Sequence, residues 1–381
     1  MKLEIDELTI VSTYLDKSGA GIAASRWKEA LGIKNAFTME NAGSTRTRLA
    51  QQLLRLESRL LARFWNRSFQ GPTSLSLFGA VSFKRLNNID GTFFVHWVQN
   101  NFVSIFTLFR ISRRSIFYCH DEWFALGIGH YSNSSILQIR LFGAISRLKR
   151  MVLRNAICVI VPSSWLKNQL VGVGIDSTKI AVIPNPVDSI FFEQTDWEAT
   201  KSVLEFKKTK PILTFIAHSV NDTRKGLHYF MDAIEYLAEK QKYYSYLIVG
   251  SGSSNHARGN EIYCMEYVSS VEVLRAIYAI SDCVVVPSLI DSLNQVSAES
   301  QSSGTRVIVS NKGGIPETVI APNLSGIILE SLDASTLANA IDTLLKTEWT
   351  SESRDKIKKI AHSKWGTEAI AKTFKDLIRG L

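Results

Sequence analysis

Short runs of Val, Ile, Leu and Phe recur along the chain, separated by longer stretches whose apolar positions repeat at helical spacing. The runs at 8–12, 92–95, 115–119, 156–161, 212–217, 246–249, 283–286, 306–309 and 326–329 are nearly continuous in apolar and β-branched residues. A strand with one wet face would alternate polar and apolar positions. A strand that does not alternate is covered on both faces, as in parallel sheets. The intervening pattern predicts helices over 20–31, 136–154, 226–238, 271–280 and 294–303. Alternating strands and helices, joined by right-handed crossovers, give doubly wound α/β domains. At IPNPVD, residues 183–188, two prolines remove backbone donors, and a new strand–helix series starts at Pro211. The expectation is one Rossmann-like domain over 1–185 and a second over 186–364.

Polar or glycine-rich residues follow the runs: Ser12 and Thr13, His96, His120, His218, Gly250 to Gly252, and Pro287 with Ser288. Open α/β sheets bind ligands beyond the carboxyl ends of their strands. These residues should therefore line one rim of each sheet, with the two rims facing across a cleft.

Composition changes the picture in two ways. The 381 residues suit two cores, and 45% hydrophobic with 21% charged content is that of a folded globular chain. No apolar run reaches the roughly 18 residues of a spanning helix, and MKLEIDELTIVS places acids where a signal peptide carries bases. Cys119, Cys158, Cys264 and Cys283 form no CxxC pair or zinc spacing, so buried, reduced thiols and a cytoplasmic location are expected. The net charge of +9 is concentrated: residues 41–154 hold sixteen basic side chains against Glu57, Asp90, Asp121 and Glu122. Such a half suits an anionic partner. No nucleic-acid module is visible, and none is expected as partner.

Four constellations carry possible chemistry. Ser18, Gly19, Ala20 and Gly21 stand between a strand and a helix, where backbone N–H groups can meet a phosphate, or where a plain turn suffices. Asp222, Thr223, Arg224, Lys225 and Gly226 put two cations at a predicted helix start, which an anion would relieve; two solvated side chains are the alternative. Asp291 and Glu299, separated by seven residues, fall on a loop and the helix it enters, with Glu299 suited to a ribose hydroxyl or to a plain surface. His120, Asp121, Glu122 and Trp123, followed by Gly127, Ile128, Gly129, His130 and Tyr131, group histidines with acids, but without HExxH or DxD no metal is expected. A structural role remains open for His96 and His130.

Taken in order, these residues resemble the retaining family 4 glycosyltransferases of GT-B fold. The resemblance covers nearly the whole chain and is densest in VPSSWLKNQL and IAVIPNPVD, and in YAISDCVVVPSLIDSLNQVSAESQSSGTRVIVSNKGGIPE. HDEW, GIGHY and DTRKG further resemble a subgroup that builds bacterial surface polysaccharides of the O-antigen, lipopolysaccharide or colanic-acid type. The resemblance implies a hexosyltransferase-type enzyme that uses a UDP- or GDP-linked sugar, needs no metal cofactor and retains anomeric configuration. An epimerase or hydrolase on the same fold, or a non-catalytic nucleotide-binding scaffold, are the alternatives. It further implies that Gly19, Gly21 and Gly252 approach the donor, and that His120 contacts the transferred sugar. Arg224 and Lys225 would neutralise the diphosphate, Asn294 would approach phosphate or sugar, and Glu299 would bind ribose. Asp291 stands where the family usually has Glu, one methylene shorter. The last helix, 365–381, is implied to return to the N-terminal domain.

Residues 45–68 read TRTRLAQQLLRLESRLLARFWNRS. Arg55, Arg59, Arg63 and Arg67 fall in one helical stripe and Leu49, Leu53, Leu56, Leu60 and Phe64 in another. A basic amphipathic helix suits an anionic membrane surface, while a docked core helix is equally open. The first choice implies a peripheral enzyme at the inner face of the plasma membrane, acting on a lipid-linked oligosaccharide.

Overall fold

The computed structural model describes residues 3–16, 18–61, 75–126, 129–130, 136–194, 210–257 and 261–381. The described chain divides into two compact units. Unit 1 holds Met1–Pro186 with Ile370–Leu381, and unit 2 holds Val187–Ala369.

Each unit is built on a parallel sheet of six strands among the described residues. In unit 1 these are β1 (Leu8–Val11), β2 (Asn35–Phe37), β3 (Thr92–Val95), β4 (Ser115–Tyr118), β5 (Cys158–Val161) and β6 (Ile180–Val182), in the order β2-β1-β3-β4-β5-β6. In unit 2 they are β7 (Ile212–Ser219), β8 (Ser245–Ser251), β9 (Ile262–Met265), β10 (Cys283–Val286), β11 (Arg306–Ser310) and β12 (Gly326–Leu329), ordered β12-β11-β10-β7-β8-β9. The central strands β1, β3, β4, β5 and β10 are buried along their whole length, as their unbroken apolar runs require. The unit 2 order is that of a dinucleotide-binding sheet, and unit 1 follows the flavodoxin-like order with one strand added. Both reverse direction once, between β1 and β3 and between β7 and β10. A crevice opens beyond the strand ends at such a reversal.

The strands β2, β6 and β9 lie outside the apolar runs of the sequence. Each is a sheet edge, and at least half of its residues are exposed or partly exposed. The helices cover both faces. In unit 1, one layer packs Trp27 of the helix Ser18–Leu31 against Phe94, Tyr118 and Phe374, with ring centroids 5.4–5.6 Å apart. The opposite layer collects Phe93, Phe102, Phe117, Trp123, Val152 and Leu153. Phe374 lies on the helix Thr367–Arg379, whose Ile370, Ala371, Phe374 and Ile378 complete the first of these layers. Cys119, Cys158 and Cys283 are buried free thiols and Cys264 is half-buried.

The helix Ser44–Leu61 presents Arg46, Arg48, Arg55 and Arg59 to solvent together with Leu49 and Leu56, while Ala50 is buried beneath it. The predicted apolar stripe is thus divided, since two of its leucines face outward. Arg63, Phe64, Trp65 and Arg67 lie outside the described residues.

Candidate functional site

In unit 2, the loops leaving β7 and β10 meet at the sheet's reversal. Leu289 donates its backbone N–H to the Arg224 carbonyl at 2.7 Å. Gly226 has φ +76°, and a Cβ there would lie 2.1 Å from the Pro287 carbonyl oxygen, so only glycine permits the approach. Residues Thr223–Lys225 form a 3-10 turn capped by Asp222, and the α-helix begins beyond them at Leu227. The two cations therefore do not stand in the first turn of an α-helix as the sequence pattern predicts. Nor is an anion needed to relieve them. The Arg224 guanidinium donates to both oxygens of Asp222, at 3.0 and 2.7 Å, and Lys225 Nζ donates to Asp291 Oδ2 at 2.8 Å.

Asp291 gathers this corner. The same Oδ2 accepts from Asn294 Nδ2 at 3.2 Å, and the Asp291 carbonyl accepts from the Gly314 N–H at 2.8 Å. Gly313 must be glycine here, because a Cβ would fall 2.4 Å from that carbonyl oxygen at φ +61°. Asn294 then caps the helix Gln295–Ser302, its Oδ1 accepting from the Ser297 N–H at 2.9 Å. One turn further on, Glu299 is buried and its Oε2 accepts from the Tyr278 hydroxyl at 2.9 Å. Lys225, Asp291 and Asn294 are thus joined directly, with Glu299 on the helix that Asn294 opens. Gly252 belongs to a separate turn, at φ +87° after β8. Its N–H and that of Ser254 donate to the Glu266 carboxylate at 2.9 and 3.2 Å, and these bonds hold Glu266 below the usual carboxylate range. This turn already binds an anionic group of the chain itself.

In unit 1 the corresponding rim carries Gly19 and Gly21, in the first turn of the helix Ser18–Leu31. A Cβ on Gly19 would meet nothing within 4 Å, whereas one on Gly21 would lie 3.2 Å from the Tyr14 carbonyl oxygen. Beside the reversal, His96 follows β3 and His120 follows β4, with His96 Nδ1 3.1 Å from His120 Nε2. His96 is buried and His120 partly exposed, packed on Tyr118 with ring centroids 4.7 Å apart. Burial lowers the His120 pKa to about 4, against a smaller opposing pull from Asp121. Burial, with His120 adding to it, also pushes His96 well below the usual histidine range. Both rings are neutral at pH 7 and can share a single N–H···N bond.

Burial raises the Asp121 pKa, but His130, the Trp123 N–H and His120 outweigh it and leave the carboxyl below its usual range. His130 Nδ1 stands 2.5 Å from Asp121 Oδ2, and the Trp123 N–H donates to Oδ1 at 2.9 Å. Asp121 therefore orients the loop after β4. Gly127, Ile128 and Tyr131 of that loop lie outside the described residues. No group of three His, Cys, Asp or Glu side chains among the described residues gathers as metal ligands would.

Sequence reasoning named Asp222 without giving it the role of partner to Arg224, and did not single out Glu266 or Tyr278. Asp222 stands within the DTRKG segment, two residues before Arg224, the usual spacing for a capping acid. Tyr278 and Glu266 carry no local signal, since their partners lie 21 and 14 residues away.

Two family models match the chain, the description "Glycosyltransferase Family 4" over residues 94–190 and "Glycosyl transferases group 1" over residues 210–347. Together they span most of the rim residues of both units. A lipopolysaccharide 1,2-N-acetylglucosaminetransferase of Salmonella typhimurium is 20% identical over 237 residues, 58% of this chain and 61% of that protein. The chain thus spans about three fifths or less of the length of the curated relatives it matches. Among solved structures, a sucrose-phosphate synthase of Thermosynechococcus elongatus has a TM-score of 0.69 at 18% identity, covering 98% of each chain. Anabaena HepE in complex with UDP-glucose has a TM-score of 0.67 at 15% identity, covering 98% of this chain and 99% of its own. By these matches and by its two parallel sheets, the chain carries a family 4 and a group 1 glycosyltransferase region and has the GT-B fold of its structural neighbours.

Proposed function

We propose that the protein transfers a glycosyl group from a nucleotide-diphosphate sugar to a surface-glycan acceptor carried on a lipid, with retention of configuration and without a metal. The observation that carries this reading is the Lys225–Asp291–Asn294 cluster at the reversal of the unit 2 sheet, one helix turn from Glu299. Breaking the bond between the anomeric carbon and the phosphate oxygen leaves negative charge on the diphosphate and positive charge on the sugar ring. Lys225 and Arg224 offer fixed positive charge for the leaving group, and the amides opening the helix Gln295–Ser302 add to it. Each cation is paired in the free protein, so a diphosphate has to draw Lys225 from Asp291. The freed Asp291 carboxylate can then accept from sugar hydroxyls. Glu299 is placed to bind ribose, with Tyr278 fixing its orientation. His120, neutral and partly exposed, suits a sugar hydroxyl better than a charged group. The departing phosphate serves as the acceptor's base in this scheme, so no separate carboxylate is assigned.

The UDP-glucose bound by HepE and the lipopolysaccharide named for the Salmonella relative support a nucleotide-sugar donor and a glycan acceptor. Exposed Leu49 and Leu56 among Arg46, Arg48, Arg55 and Arg59 support attachment to an anionic membrane surface. Among the described residues no helix is long and apolar enough to cross a membrane.

The deciding experiment is thermal denaturation against a panel of UDP-, GDP- and ADP-sugars, followed by mass spectrometry of products with and without a lipid-diphosphate acceptor. A true donor at 100 times its Kd adds about 2.7 kcal/mol of apparent stability. Glycosylated acceptor establishes transfer. An altered sugar nucleotide or free sugar alone would make the protein an epimerase or hydrolase, and binding without turnover would make it a scaffold. Sedimentation with anionic vesicles that fails at low salt would remove the membrane role.

A further inference from the structure

The loop that carries His120 is held from inside unit 1 by a charge that the proposed chemistry does not use. Lys149, on the helix Ile136–Asn155, is fully buried, with Nζ 3.5 Å from the centroid of the Trp123 ring. Its neighbours on that helix face, Val152 and Leu153, are core residues. Two carboxylates act on it, Asp121 from the loop after β4 and Glu57 from the helix Ser44–Leu61. Glu57 is oriented in turn by Asn101 Nδ2 at 3.3 Å and by the Leu75 N–H. One turn before Lys149, Ser146 Oγ donates to the Ala125 carbonyl at 2.8 Å. The helix therefore meets the short turn Glu122–Phe124 at its central Trp123 and at Ala125 just after it.

Stability alone is a poor reason for this lysine. Taking an ammonium out of water costs several kcal/mol, and well-packed apolar residues of similar volume commonly match or exceed a buried ion pair. Burial pushes the Lys149 ammonium well below the usual lysine range, and the two carboxylates oppose this. What the charge does supply is direction. Asp121 is the centre of its loop, taking the Trp123 N–H on one oxygen and His130 and Gln99, at 2.5 and 3.4 Å, on the other. His120 is its neighbour in sequence.

We propose that Lys149 is a positioning residue for the transfer reaction, fixing the His120 loop through Asp121 and Trp123 and tying the helix Ser44–Leu61 to that loop through Glu57. The proposal rests on the reading that His120 meets the transferred sugar. Lys149 itself touches no substrate in this scheme.

The test uses the full chain, with UDP-sugar turnover and binding read separately. Lys149→Met keeps the volume and removes the charge. The expected result is a fall in kcat of about 10-fold or more with the donor KM within about twofold, because misplacing a contact on the sugar slows chemistry while the nucleotide is assigned to unit 2. The double variant Lys149→Met/Asp121→Asn also removes the carboxylate that has lost this countercharge and should recover Tm without recovering kcat. A folded Lys149→Met protein with unchanged kcat, or a double variant that recovers both, would overturn the proposal. If Lys149→Met does not fold, Glu57→Gln weakens the same cluster from its half-buried edge: a lower kcat at constant KM supports the proposal, and an unchanged kcat overturns it. The ring nitrogen resonances of His120 and His130 in histidine-labelled protein form an arm independent of turnover. They should shift in the variants, and coincidence with the parent overturns the positioning role. A parent protein inactive on every donor would instead refute glycosyl transfer and leave this arm to decide the role of Lys149.

Discussion

Lys225→Ala separates what the Lys225–Asp291 pair does for stability from what it does for chemistry. The lysine side chain is 28% exposed and its partner 15%, at 2.8 Å. A pair with this much access to solvent contributes about 0–1 kcal/mol. Asn294 still donates to the same carboxylate oxygen at 3.2 Å, so Asp291 is not stranded when the lysine is removed. For a unit of this size 1 kcal/mol corresponds to a Tm change of about 2–4 °C, and the variant should lose no more than that. If Lys225 neutralises the departing diphosphate, its loss removes a fixed electrostatic donor from the transition state. That costs about 2.7–4 kcal/mol, or a 10²- to 10³-fold fall in kcat. The assay is donor turnover at saturating acceptor beside thermal denaturation of the same preparation. Asp291→Asn supplies the opposite sign for binding, since an ammonium freed from its carboxylate should hold free UDP more tightly. A folded Lys225→Ala protein with kcat within about threefold of the parent would refute the assignment.

Glu299→Gln keeps the shape of the side chain and its contact with Tyr278 but removes the charge. Donor binding should weaken by about 1.5–3 kcal/mol in calorimetry, and an unchanged Kd would remove the ribose role. Because burial depresses His120 to about 4 from 6.5, the unfolded chain takes up its proton first as pH falls. The stability it permits is intact above pH 6.5 and is lost between 6.5 and about 4, with His96 acting in the same direction. Urea midpoints across that window should fall for the parent and fall less for His120→Asn; parallel curves would contradict this. Phe374→Ala, which opens a space between Trp27 and Phe94, should cost unit 1 about 3–5 kcal/mol in denaturant unfolding. Turnover should survive EDTA, and loss restored by magnesium or manganese would show that the site needs a cation.

The α/β class was legible because buried parallel strands cannot alternate. β3 and β10 run over the same residues as their apolar runs, Thr92–Val95 and Cys283–Val286, and the helix Val271–Ile280 matches its predicted span. β2, β6 and β9 lay outside the predicted runs although β12, an edge strand like them, was among those runs; β6 and β9 read IAV and IYCM, apolar but very short. At the strand ends, residue types marked the loops but not the partners that the fold brings to them. DTRKG looks like an unbalanced pair of cations until the fold brings Asp291 across from the loop after β10, 66 residues away. The helix Ser44–Leu61 shows the converse limit. Its periodicity places Leu49, Leu53 and Leu56 in one stripe, yet the core takes Ala50 and leaves Leu49 and Leu56 outside. Which side of a helix is buried depends on what it packs against, and the sequence of the helix alone does not contain that surface.

The last dozen residues have a consequence for how the chain is made. Ile370, Ala371, Phe374 and Ile378 finish a core whose other members, among them Leu8, Ile10, Trp27 and Phe94, leave the ribosome first. Residues 187–369 must be synthesised in between, which at 5–20 residues per second takes about 10–40 s. Throughout that interval the N-terminal sheet lacks part of the cover for one face, whereas unit 2 can close as soon as its own residues have emerged. Unit 1 is then completed last, although most of it is synthesised first. A nascent chain halted before Ile370 should present an apolar surface that the finished protein hides, and that surface is where a chaperone would act.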